Sequence, residues 1–319
     1  MKPRLLAIAV IGIPLTLAAC GGGNNPGSSS SGSSGCPSAT SSGNGNGATV
    51  SIGSKAFGEE FLLAYMTQDI LQKHGFTVNY TFNAADKAIG TALQNGTIDM
   101  YWQYTGTELG TYLNLSVGQY PTDLTQAFNT VQQKDAPRGL CWYAATQFDD
   151  TNGIAIKSSD AATFGTTFSS FGQYLTMHPS TSVCIMSEFR TRPDGLLGLE
   201  SKAGWPSTAN YVDIHNTAEK PITSGQCAAG EVFTTDEDFQ ANGLTLLTDD
   251  KGIMPPDNAG LIIRQSVAQK YPFIGGLMAP VAAKLTTSEI TKLDAVATDA
   301  HASQTAAHDW LVQNGFLSS

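Results

Sequence analysis

The chain has 319 residues, 17 of them basic and 27 acidic, for a formal net charge of -10, and 41% are hydrophobic. That length holds one large domain or two ordinary ones, and the acidic balance argues against a nucleic acid or an anionic membrane surface as partner. Small ligands of either charge stay open, because one local pocket can carry either sign.

The first residues read as an export signal. Lys2 and Arg4 give a positive start, Leu5 to Leu17 an apolar run, and Leu17-Ala18-Ala19-Cys20 the small residues of a cleavage site. The run is too short for a bilayer, which needs about 20 residues, and Pro14 interrupts it. The pattern resembles the lipobox of bacterial lipoproteins, in which the Cys is lipidated and becomes the first mature residue. Residues 1–19 are then the signal peptide and Cys20 the lipidation site. Gly21 to Gly47 is almost entirely Gly, Ser, Asn and Thr, which cannot bury enough apolar surface to fold, so 20–48 is expected to be a flexible leash. The mature chain keeps 15 basic against 27 acidic residues, a net charge of -12. No later apolar stretch is long enough to cross a membrane. The folded part is expected outside the cytoplasm, in the periplasm or on the outer face of the cytoplasmic membrane, held by Cys20.

From Thr49 the pattern is α/β. Thr49 to Ile52 alternates like a strand, and Glu59 to His74 carries Phe61, Leu62, Tyr65, Met66 and Ile70 at helical spacing, stopped by Gly75. Thr77 to Phe82 reads as a second strand, Ala84 to Asn95 as a second helix closed by Gly96, and Ile98 to Trp102 as a third strand. The order βαβαβ implies a parallel sheet, with ligands beyond the carboxyl ends of its strands. Beyond Asp150 the same order restarts: a strand Gly153 to Ile156, a helix near Phe168 to Leu175, and strands Ser182 to Met186 and Glu231 to Thr234. After Pro255-Pro256 come a strand Gly260 to Ile263 and two helices, near Thr287 to Ala300 and Gln304 to Asn314. Two α/β lobes suggest a cleft between them as the ligand site.

Four cysteines remain besides Cys20: Cys36, Cys141, Cys184 and Cys227. An even count in an exported chain favours disulfides, and the spacings fit no zinc or Cys-x-x-Cys pattern. Three pairings are open. Three segments offer chemistry. Gly53-Ser54-Lys55 stands between strand and helix, where backbone N–H groups and a Lys can meet an anion, or where the Lys is simply solvated. Tyr101-Trp102-Gln103-Tyr104-Thr105-Gly106-Thr107 offers aromatic faces to a cation, with core packing as the default reading. Glu188 to Gly195 holds Arg190 and Arg192, suited to a carboxylate or to a surface turn.

Together these segments resemble one family in order and wording. Ser51-Ile52-Gly53-Ser54-Lys55-Ala56-Phe57-Gly58-Glu59-Glu60, Gly96-Thr97-Ile98-Asp99-Met100-Tyr101, Tyr104-Thr105-Gly106-Thr107, Arg192-Pro193-Asp194-Gly195-Leu196, Phe233-Thr234-Thr235-Asp236 and Asp249-Asp250-Lys251-Gly252 with Pro255-Pro256 are similar to the substrate-binding proteins of osmoprotectant ABC importers. The resemblance runs from about Thr49 to the C-terminus. It implies a two-lobed periplasmic-binding-protein-like fold with the ligand cleft between lobes, lobe I from 49–150 and 257–319 and lobe II from 151–256. In that family a tyrosine cage holds a quaternary ammonium, and Lys, Thr and Arg hold a carboxylate where the ligand has one. Aromatic faces suit a cation without N–H donors, at ~0.5–2 kcal/mol each.

By motif, Lys55, Thr107 and Arg192 match the carboxylate-binding positions and Tyr104 one cage tyrosine. The other cage positions depart: they fall on or beside Asn152, on Phe233 and on Asp257. Asp149, Asp257 and Asn258 would make the pocket more polar than the family's box, and a carboxylate accepts hydrogen bonds from an N–H bearing amine. The resembled fold also implies the pairs Cys184 with Cys227 and Cys36 with Cys141, and closure by hinge motion near Asp149 to Asn152 and Pro255 to Asp257.

The partners implied are a betaine-like zwitterion or cation, ABC permease and ATPase subunits, and the lipid anchor, with the protein a monomer and no nucleic acid, metal or cofactor. A tethered sensor of a solute is the other use of such a fold. An enzyme is disfavoured: the chain has no Gly-x-Ser-x-Gly, His-Glu-x-x-His or phosphate loop. His301 and His308 suit a solvated helix face better than a metal.

Overall fold

A computed structural model describes residues 35–318, apart from 216, 237, 238, 240 and 241 and the side chains of 82–84. The signal peptide, Cys20 and the first part of the leash lie outside the described residues. No described helix is long and apolar enough to cross a membrane.

The first sheet contains β1 (Thr49–Lys55), β2 (Thr77–Ala84), β3 (Met100–Tyr104), β4 (Leu140–Tyr143) and β10 (Ala259–Arg264), in the order β2-β1-β3-β10-β4. The second contains β5 (Asn152–Lys157), β6 (Ser182–Met186), β7 (Asn210–Ile214), β8 (Ala229–Phe233) and β9 (Leu244–Leu246), in the order β7-β6-β8-β5-β9. Helix α1 (Gly58–Lys73) buries Leu62, Leu63, Met66 and Leu71 against the first sheet. Helix α2 (Asp86–Asn95) buries Ile89 and Leu93 and ends at Gly96, whose φ of 82° is the left-handed conformation that favours glycine.

The three strands of the βαβαβ run pair parallel, as their order implies, but each sheet as a whole is mixed. In the first, β1 runs parallel to β2 and β3, while β10 runs antiparallel to β3 and β4. In the second, β6 runs parallel to β7 and β8, while β5 runs antiparallel to β8 and β9. The reason is topological. β10 and β5 are the strands that arrive from the other lobe, so each enters its sheet from the crossover end, opposite to strands that come up from the helices behind.

The leash is shorter than the composition suggested. Residues 35–48 lie on the first lobe, and Cys36 is disulfide-bonded to Cys141 of β4. The Tyr143 hydroxyl donates to Pro37 O at 2.7 Å, Thr40 N–H to Pro272 O at 3.1 Å and Gly45 N–H to His74 O at 2.8 Å. Gly43 and Gly45 press so closely on the rings of Phe273 and Phe76 that an added Cβ would lie 2.2 and 2.6 Å from them. Low apolar content hid this strap because its contacts are made by backbone, and glycine is what allows the approach. Cys184 is bonded to Cys227 in the second lobe.

Two crossovers join the lobes, and they are laced together. Asp257 N–H donates to Asp149 Oδ1 at 2.7 Å, Asp150 N–H to Asp257 O at 3.0 Å, and the Thr151 hydroxyl to Pro255 O.

Candidate functional site

The chemistry-bearing residues meet where strands from both sheets end beside the crossovers. Lys55 is the last residue of β1, Tyr104 of β3 and Phe233 of β8; Asn152 opens β5, and Arg192 follows β6 across one short turn. With Phe57, Asp86, Thr107, Asp150, Glu188 and Asp257 they line a cavity of about 110 Å³.

Both cations of this cavity are already paired. Lys55 Nζ donates to Gln103 Oε1 at 2.8 Å, lies 3.1 Å from Asp86 Oδ1, and stands 4.7 Å from the centroid of the Tyr104 ring. Burial pulls its pKa down, but Asp86, Glu60 and Asp257 outweigh that and hold it above the ordinary lysine value. Arg192 grips Asp194 with two hydrogen bonds, Nε to Oδ1 at 3.0 Å and Nη2 to Oδ2 at 2.5 Å, the two-pronged geometry that guanidinium and carboxylate favour. Its Nη1 lies 3.8 Å from Glu188 Oε1.

Asp257 is a buried carboxyl held at the mouth of a helical turn. Its Oδ1 accepts the N–H groups of Gly106 and Thr107, at the start of the helical turn Thr105–Thr107 that follows β3. A Cβ at Gly106 would come within 2.8 Å of the carboxyl carbon, so glycine there admits the close approach. Burial pushes Asp257 up to about 7, against the pull of Arg192, Lys55 and the Gly106 N–H. A backbone anion receptor beside Thr107 is thus occupied by the protein's own carboxylate.

Aromatic surface completes the wall. The Phe57 and Tyr104 rings are 6.0 Å apart. Phe57 is 40% exposed although apolar, so its face remains available within the cleft. The Tyr104 hydroxyl donates to Glu59 Oε1, and burial with Glu59 nearby drives its pKa well above the tyrosine range. Asp150 accepts the Thr235 hydroxyl, and burial together with Glu59 raises its carboxyl well above the usual value.

The structure brings Lys55, Tyr104, Thr107, Asn152, Arg192, Phe233 and Asp257 to one cavity. Asp149 and Asn258 do not line it. Asp149 spends Oδ1 on the Asp257 N–H. Asn258 accepts the Thr105 hydroxyl at 3.0 Å and donates to Thr146 O at 3.3 Å. Both sit at the crossovers. Phe57, Asp86, Asp150 and Glu188 were missed. Phe57 stands inside the motif that supplied Lys55, Glu188 opens the run that supplied Arg192, and Asp150 is one residue from the position chosen; nothing in the local sequence marks Asp86.

Two mixed sheets joined by two laced crossovers, with a polar and aromatic cavity at their facing strand ends, define a two-lobed solute-binding protein. The chain belongs to the family of substrate-binding domains of ABC-type glycine betaine transport systems, whose model matches residues 48–313. It is 28% identical over 292 residues to a glycine-betaine-binding protein of Pseudomonas aeruginosa, covering 88% of this chain and 93% of that one. It is also 28% identical over 228 residues to an ergothioneine transport permease/ergothioneine binding protein of Helicobacter pylori, 69% of this chain and 39% of that one. A solved structure titled as a glycine betaine/carnitine/choline ABC transporter shares the fold at a TM-score of 0.67 and 19% identity, over 84% of this chain and 99% of that chain. The protein is therefore the extracytoplasmic substrate-binding component of an ABC importer for glycine betaine-type solutes and not an enzyme.

Proposed function

We propose that this chain is a lipid-anchored monomer, held by Cys20, that captures a small quaternary-amine or zwitterionic solute of the glycine betaine and choline class and delivers it to permease and ATPase subunits. The observation that carries the reading is the single cavity in which Tyr104, Phe57 and Phe233 stand beside Asp150, Glu188 and Asp257. Aromatic faces attract a cation without needing its N–H donors, and the carboxylates supply the countercharge. A relative that binds glycine betaine supports the class.

The same cavity favours a second reading, a different polar amine or an amino-acid-like ligand. Lys55 and Arg192 are neutralised by Asp86 and Asp194, and Asp257 holds the N–H groups beside Thr107. A ligand carboxylate would have to compete for each of those donors, whereas a cation would not. A thermal-shift screen of betaines, choline, carnitine, ectoines, polyamines and amino acids separates the two. A ligand at 100 times its Kd adds about 2.7 kcal/mol of stability. Stabilisation by betaines and choline supports the first reading, and stabilisation only by ligands with N–H donors supports the second. No response from any of them would sink both. The anchor is tested apart: Cys20→Ser should move the protein from the membrane fraction to the soluble fraction.

A further inference from the structure

Beside the cavity lies a larger chamber of about 460 Å³, which shares Phe57, Asp150, Glu188 and Phe233 with it. Its other walls add Glu59 from the first turn of α1, Asp236 just after β8, and Asp294 at the end of the helix Thr287–Asp294. Five carboxyl groups from both lobes and a crossover therefore face one space. Among the described residues that line it there is no Lys or Arg, and His215 is the one imidazole.

Glu59 joins the two spaces. It is 4% exposed, and its Oε1 accepts the hydroxyl of Tyr104. Its Oε2 receives no donor. Its neighbour is the Asp294 carboxyl, whose Oδ1 also receives no donor while both groups are ionised; with one of them protonated, the pair is hydrogen-bonded. Two carboxyl groups brought together in this way need a shared proton or a cation between them. Burial, with Glu219 beside Asp236 and with Asp150 near Asp294, pushes both carboxyls up to about 8.

A metal ion does not fit the arrangement, because among the described residues no three such groups converge as ligands would. An ammonium group makes a looser demand, pointing several N–H donors in different directions at hydrogen-bond distance. We propose that this chamber is a second cation subsite of the cleft and that the protein binds α,ω-diamines, one ammonium among Phe57, Tyr104 and Phe233 and the other among Glu59, Asp150 and Asp294. The proposal rests on the cleft being the solute site.

The test is calorimetric titration of the mature chain with matched pairs, butylamine against putrescine and hexylamine against hexamethylenediamine, with choline and glycine betaine alongside. Within each pair the diamine is the less hydrophobic molecule, so any advantage it has comes from its second charge. At least about tenfold tighter binding of a diamine than of its monoamine is expected. Asp294→Asn should collapse that ratio toward one. Glu59→Gln, which keeps an oxygen for the Tyr104 hydroxyl, should do the same and serves if the first variant fails to fold. A ratio near one in the parent, or one that survives both substitutions, overturns the second subsite. If choline, betaine or a monoamine still binds in that case, the solute-binding reading stands without it. If no amine or betaine binds, both fall.

Discussion

Asp257 shows how one buried group couples the pocket to pH. Its folded value of about 7 lies above the ordinary 3.8 because burial disfavours the charge. A carboxyl raised on folding stabilises the fold fully below its unfolded pKa, and the contribution is lost as pH climbs through the folded value. Glu60, Asp236 and Asp294, each near 8 through burial, add to the same trend. The ligand-free protein should therefore lose melting temperature between about pH 4 and about pH 8, read by scanning calorimetry. A bound cation favours the ionised carboxylates, so its binding should release protons and strengthen over the same window. Asp257→Asn keeps an acceptor for the Gly106 and Thr107 N–H groups and should weaken part of that pH dependence. Arg192→Ala acts differently: it leaves Asp194, 1% exposed, without its partner, at a cost of ~3–5 kcal/mol in stability. Denaturant unfolding without ligand should show that loss, which a purely ligand-facing Arg192 would not produce. At this scale the motifs placed Lys55, Tyr104, Thr107, Arg192 and Phe233 correctly in the cavity. Asp150 lines the cavity and Asp149 does not because neighbouring residues of an extended chain face opposite ways, and Asp149 turns to the other crossover. Asp86 reaches the cleft through tertiary packing alone, which no local pattern records.

The strap 35–48 belongs to the element scale, since its value lies in tying a segment of little apolar content to a finished sheet. Cys36 and Cys141 close a loop of 105 residues, and constraining the unfolded chain in this way contributes ~2–4 kcal/mol. The double variant Cys36→Ser with Cys141→Ser should lower the denaturant midpoint accordingly. It should also expose 35–48 to limited proteolysis while leaving ligand affinity unchanged, because neither residue lines the cleft. An unchanged midpoint would mean that the hydrogen bonds from Tyr143 and Thr40 hold the strap by themselves. Elements with a long apolar period were legible. Helix α1 and the strand Ser182–Met186 stand where their patterns put them. Others were not: β4 and β9 have four and three residues, too few for alternation to rise above background, and β7, as long as Ser182–Met186, is an edge strand with no buried residue. Strand direction was also hidden, because β5 and β10 carry ordinary apolar sequence, and their antiparallel pairing comes from crossing between lobes.

At the scale of the whole molecule, the two crossovers decide how the cleft opens. Each lobe keeps its own apolar clusters, so rotation about residues near 149–152 and 255–258 leaves both cores intact. On the proposed function, ligand contacts drawn from β1 and β3 on one side and from β8 and Arg192 on the other would supply the differential affinity that favours a closed form. Small-angle scattering should show a smaller radius of gyration with saturating ligand. Pocket and hinge can be told apart with Asp149, which lines no part of the cavity but accepts the Asp257 N–H. A hydrogen bond to a charged acceptor contributes about 1.5–3 kcal/mol, and each 1.4 kcal/mol is about tenfold in affinity. If even half of that bond's energy distinguishes the closed state from the open one, Asp149→Ala should weaken every ligand by roughly three- to tenfold and leave their ranking unaltered. Titration of choline, glycine betaine and one diamine against this variant checks it. A changed ranking would place Asp149 in the pocket, and unchanged affinities would show that its hydrogen bond is equally present in the open and closed states.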